Sequence, residues 1–118
     1  MTLSKIIQIN SGLQKLGDKS FDGKTSFAIL RANRAITPIM EDYEKVRGQI
    51  VTANLPEGET AIDPAKHPEA FAKVKTEIES LFAREEDISL PKLSMDALTK
   101  AEVSISVLDA LFPIIEES

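Results

Sequence analysis

The stretch Thr25–Asn54 reads TSFAILRANRAITPIMEDYEKVRGQIVTAN, and the spacing of its apolar residues decides the fold. On a helix turning about 100° per residue, Ala28, Ala35, Ile36, Ile39, Met40, Tyr43, Val46 and Ile50 share one broad face. Pro38 stands inside that stretch. An interior proline removes one backbone hydrogen bond and crowds the preceding turn, at a cost of ~3 kcal/mol. The stripe nevertheless stays in phase past it, which predicts one long kinked helix over 25–54. Phe27 and Leu30 fall off the stripe, beside Arg31 and Arg34. The first half of the helix is therefore apolar on two sides. The second side must be covered either by the N-terminal helix or by a neighbouring subunit.

Upstream, Leu3, Ile6, Ile7, Leu13 and Leu16 recur at helical spacing, with Ile9 off their stripe, predicting a helix over 3–16. Thr2 or Ser4 can cap it and Gly17 can end it. Gly12 sits in its interior, where glycine costs about 1 kcal/mol relative to alanine. A turn-rich link, GDKSFDGK (Gly17–Lys24), joins the two helices.

Downstream, Leu55–Pro68 holds three prolines and reads as a loop, with Thr60-Ala61-Ile62 as a candidate short strand. Pro68 fits only a first helical turn, so a helix is predicted over 68–84 with His67 at its cap. Its core face is Phe71, Val74, Ile78, Leu81 and Phe82. Ile88–Leu93 alternates apolar and polar residues around Pro91, which predicts an edge strand over 88–93. Its partner is either Thr60–Ile62 or the same strand in a second copy. Ser94 or Asp96 then caps a short turn through Ala97 and Leu98. Ser104 or Ser106 starts a last helix over 105–115, burying Val107, Leu108, Leu111 and Phe112. Glu116 and Glu117 oppose the dipole at that helix end, which predicts fraying there.

With 118 residues the chain is one domain. Aromatics make up only 5% and tryptophan is absent, so Leu, Ile, Val and Ala must build the core, and helices suit that supply. The net charge of −5, from 14 basic and 19 acidic residues, argues against duplex nucleic acid as a partner. Without cysteine there is no disulfide, thiolate metal site or cysteine nucleophile. No apolar run approaches the ~20 residues that span a bilayer, and the N-terminus has no secretory h-region. The default reading is a cytosolic protein that binds no membrane.

Few residues suggest chemistry. His67 is the one histidine and cannot assemble a histidine metal site. The carboxylates Glu41-Asp42-Glu44 and Glu85-Glu86-Asp87 lack calcium-loop spacing and read as solvated helix faces. Glu41 and Lys45 are ordered for an i,i+4 pair. Lys24, Arg31 and Arg34 lie along the first half of the long helix, away from its main stripe. A helix start with two guanidinium groups can hold an anion or phosphate; salt bridges to another helix or subunit are the plainer use. No cofactor and no metal is implied.

Three blocks also carry a resemblance. IIQINSGLQKLGDKSFDGKTSFAILRANRAI, IMEDYEKVRGQIV and EDISLPKLSMDALTKAEVSISVLDALFPIIEE resemble a family of small, functionally uncharacterised proteins encoded by tailed bacteriophages. The matching positions are Leu13-Gln14-Lys15-Leu16, Lys24, Glu41 to Arg47, and Ile88 to Leu98, the last fitting the pattern I-x-L-P-K-[IL]-x-x-[DE]-x-L. Pro38 is a departure from that family's long helix. The resemblance implies phage origin and action in the host cytoplasm or in a virion. It transfers no functional residue.

These readings converge on a mainly α fold: a small helical bundle around one long kinked helix, with one or two short edge β-strands. They favour a non-enzymatic, homo-oligomeric protein acting on a bacterial host or phage protein. The expected interface is Phe27, Leu30, Ile88, Leu90, Leu93, Leu108, Leu111, Phe112 and Ile115. The alternative is an oligomeric sponge that holds a nucleotide second messenger of host antiviral defence at Lys24, Arg31 and Arg34.

Overall fold

The computed structural model describes residues 1–116. In chain order it comprises α1 (Leu3–Gln14), α2 (Gly23–Ala53), α3 (Pro68–Phe82), β1 (Leu93–Ser94), α4 (Met95–Lys100), α5 (Ile105–Leu111), a 3-10 turn (Phe112–Ile114) and β2 (Ile115–Glu116). The fold is mainly helical with one long helix, as the periodicity predicts. At ~1.5 Å per residue, the 31 residues of α2 extend along most of the 53 Å long axis of the molecule. The radius of gyration is 17.5 Å, where a compact chain of this length would have about 13–14 Å. Elongation follows from where the core sits. The buried cluster surrounds Ala32 and Ile36 in the first half of α2, and the second half runs on against α3.

α2 continues through Pro38 without a break. The proline lies on the exposed side, where water can solvate the Arg34 carbonyl that lost its N–H partner. The buried face departs from the expected stripe at Thr25, which is buried, and at two apolar positions. Ala32 is fully buried, and a methyl group there leaves room for close packing. Val46 is 37% exposed, because beyond Tyr43 only α3 and its loop remain to cover α2. The Tyr43 and Phe82 rings meet at 6.0 Å. For the same reason Phe71, expected in the core, is exposed, while Val74 on the same helix is buried.

Thr2 caps α1 by accepting from the Lys5 amide. Ile9, expected off the stripe, is fully buried, since α1 packs against both α2 and α5. Gly12 makes the second contact possible: a Cβ there would lie 2.8 Å from Leu111 Cγ and 3.2 Å from Ala110 Cβ. Gln8 Nε2 donates to the Asp109 and Ala110 carbonyls in the last turn of α5, adding a side-chain bond from α1 to that helix end. Backbone bonds from Leu3 N to Arg84 O and from Glu86 N to Met1 O tie the start of α1 to the end of α3.

The strand expected over 88–93 is reduced to Leu93–Ser94. Pro91 lacks the N–H a ladder requires, so pairing begins only after it. Within the chain its partner is not Thr60–Ile62, where Thr60 and Ala61 form bends. β2 pairs with it in parallel, Leu93 opposite Ile115 and Ser94 opposite Glu116. The last helix likewise stops at Leu111 rather than 115. Pro113 cannot supply the next α-type bond, so Phe112 N bonds Asp109 O in a tighter turn and the chain leaves as β2. Glu116 therefore sits in a strand, and Glu117 lies outside the described residues.

Ser94 caps α4 and Ser104 caps α5, each accepting from the amide three residues on. α4 ends in a Schellman motif, with Val103 N bonded to Leu98 O and Glu102 N to Thr99 O. The left-handed position is occupied by Glu102, at φ 57°. A side chain is disfavoured there by ~1–2 kcal/mol, of which glycine's greater chain entropy returns part. Glu102→Gly is thus expected to stabilise the fold by about 0.5–1 kcal/mol, read as a rise in the midpoint of urea unfolding.

Candidate functional site

Two regions hold the sequence-predicted surface residues: the face of α2 opposite Ala32 and Ile36, and a cleft at the start of α2.

The outer face of α2 follows from helical geometry. Phe27, Arg34, Pro38, Glu41, Lys45 and Gly48 fall on one strip, flanked by Leu30, Arg31 and Asp42, and all nine are exposed. Phe27 is 60% and Leu30 45% exposed. α1 thus leaves this second apolar side of α2 uncovered. The Arg31 guanidinium lies 5.9 Å from the centroid of the Phe27 ring, a cation–π contact that holds both groups at the surface. The ion pairs among the described residues are Met1 amine–Glu85, Glu44–Arg47, Glu59–His67 and Arg84–Glu86. None involves Arg31, Arg34, Glu41 or Asp42, and the expected Glu41–Lys45 pair gives way to Glu44–Arg47.

The cleft has a volume of about 600 Å³ and lies between the start of α2, β1 and α4. Lys24, Lys92 and Lys100 line it together with Asp22, Asp96 and Glu116. Lys92 Nζ donates to the Pro113 carbonyl at 2.9 Å, so one ammonium is already engaged. Asp22 occupies the N-cap of α2 without a well-formed cap bond to an amide. The Thr25 hydroxyl, against a smaller opposing effect of burial, holds the Asp22 carboxyl below its usual range. Thr25 is itself buried. The formal charges of the cleft balance, so it can meet a ligand bearing both phosphate and hydrogen-bonding groups, and it is no concentrated anion trap.

The expected residues separate in the fold. Of the basic trio only Lys24 reaches the cleft; Arg31 and Arg34 lie farther along the outer face, so the three do not form one pocket. Of the expected interface, Leu93, Leu111 and Ile115 are core residues, while Ile88, Leu90 and Leu108 are half-buried against the core. The tail satisfies them by folding back onto β1. Phe112, expected to be buried by its own helix, is 61% exposed on the 3-10 turn. Phe27 and Leu30 are surface residues. Lys92 and Lys100 are brought to Lys24 by tertiary structure alone, a convergence without local signature in the sequence.

Among the described residues no group of His, Asp and Glu is arranged to hold a metal ion, and no helix is long and apolar enough to cross a membrane. No family model, curated protein or solved structure matches the chain.

Proposed function

We propose that the chain is a non-enzymatic protein that works through protein contacts, and that the outer face of α2 is its contact surface. The observation that carries this is the exposure of Phe27 and Leu30 on the side of α2 opposite the core. Aromatic and arginine side chains are the residue types that anchor interfaces, and here Arg31 stacks on the aromatic. The resemblance to small proteins of tailed phages supports a setting inside an infected bacterium or a virion. Particle assembly and the blocking of a host factor are the two uses that fit such a surface. The test is a photoreactive residue in place of Phe27. It is expected to cross-link to another polypeptide, and the same probe at the exposed Phe71 is not.

A second reading, sequestration of a nucleotide second messenger of host antiviral defence, is favoured by the convergence of Lys24, Lys92 and Lys100 on one cleft. On this reading cyclic nucleotides raise the melting temperature, and Lys24→Ala removes the shift while Arg34→Ala leaves it. A flat response across a cyclic-nucleotide panel rejects it.

A further inference from the structure

The partner for the outer face of α2 is written in the face itself. We infer that it docks on the same face of a second copy, with the two α2 helices antiparallel about a twofold axis between Thr37 and Pro38. This inference rests on the reading of that face as a contact surface and adds the identity of the partner.

Three observations carry it. The first is charge order. Arg31 and Arg34 precede Pro38 along the exposed strip, Glu41 and Asp42 follow it, and none of the four has an ion-pair partner among the described residues. Antiparallel pairing about a point between residues 37 and 38 sets Arg34 against the partner's Glu41, and symmetry repeats the pair. Arg31 then lies within reach of the partner's Asp42. A parallel arrangement would instead stack like charges, so the order selects one direction.

The second is the apolar pairing in the same register. Phe27 comes to the level of the partner's Gly48, and Leu30 to that of the partner's Lys45, whose methylene stem can cover it. The exposed rings are thereby removed from water on both sides of the axis.

The third is Gly48. It lies inside α2, where glycine weakens a helix, and a Cβ built on it meets nothing within 4 Å. No packing within the chain calls for a glycine there. A recess for the Phe27 ring of a second copy does, because a side chain at 48 would occupy that space.

Sedimentation equilibrium of the purified full chain over a range of concentrations tests the inference. Wild type is expected to associate to a dimer. Arg34→Glu and Glu41→Arg should each weaken the dimer by at least about tenfold, since each change breaks two symmetry-related pairs. The double variant R34E/E41R should recover most of that loss, because the pair is restored with its signs exchanged. Gly48→Leu should weaken dimerisation while its far-ultraviolet circular dichroism and melting show a folded chain. A wild type that stays monomeric, or charge variants that are not rescued by the swap, overturns self-pairing. A monomer whose photoreactive residue at position 27 still cross-links to a different polypeptide likewise overturns self-pairing, yet leaves the contact-surface reading standing; loss of that cross-link as well defeats both.

Discussion

Leu111→Ala is expected to cost about 2–5 kcal/mol of stability, and Phe112→Ala, one residue on, less than about 0.5 kcal/mol. The two positions belong to one apolar run, Ala110 to Ile115, and sequence alone treats them alike. In the fold, Leu111 is fully buried and seated on Gly12, while Phe112 is mostly in solvent. Truncating Leu111 removes buried methyl groups and leaves a cavity that α1 and α5, tied together by Gln8, cannot readily close. Truncating Phe112 removes area that is already wet. Urea unfolding followed by circular dichroism measures both. Equal losses at the two positions would mean that the 3-10 turn at Pro113 is not where the tail changes direction.

Gly12→Val is expected to cost roughly 3 kcal/mol by overpacking. Helix propensity alone favours replacing an interior glycine, by up to about 1 kcal/mol for alanine. Space decides the sign. A Cβ at 12 would lie 2.8 Å from Leu111 Cγ and 2.9 Å from Leu111 Cδ2, and the first of these atoms is a branch point that cannot swing aside. The γ-carbons of valine need still more room, so α1 and α5 must move apart. The two sites therefore couple: Leu111→Ala vacates the space that valine invades. The double variant should be more stable than the sum of the single losses implies, by about 0.5–3 kcal/mol. Additive losses would show that α1 and α5 do not meet at Gly12.

The long helix is legible in the sequence because its stripe keeps phase across Pro38, and periodicity over many turns is a strong local signal. The interior glycine of α1 is visible too, though only as a weakness; its value appears when Leu111 arrives from the other end of the chain. β1 and β2 are not legible. Strands of two residues have no period to detect, and the pairing of Leu93 with Ile115 depends on a turn that Pro113 forces on an apparently helical run. Ile88 and Leu90 do alternate, yet they belong to an unpaired segment half-buried against the core, and only Leu93, out of step with them, enters β1. As for the site, the two-sided apolarity around Phe27 and Leu30 marks a face needing cover, and that face stays exposed. The basic trio misleads because Lys24 and Arg31 share a helical face about 10 Å apart, while the lysines that join Lys24 in the cleft come from distant sequence.

On the proposed function, Phe27 faces another polypeptide and not the core. A photoreactive residue at position 27, compared with the same probe at the buried Ile36 and at the exposed Phe71, tests it most directly. Intermolecular adducts are expected from position 27, on a second copy when α2 pairs with itself, intramolecular adducts or misfolding from position 36, and no adduct from position 71. Adducts from position 27 confined to its own chain, or equal intermolecular yields at 27 and 71, would contradict it.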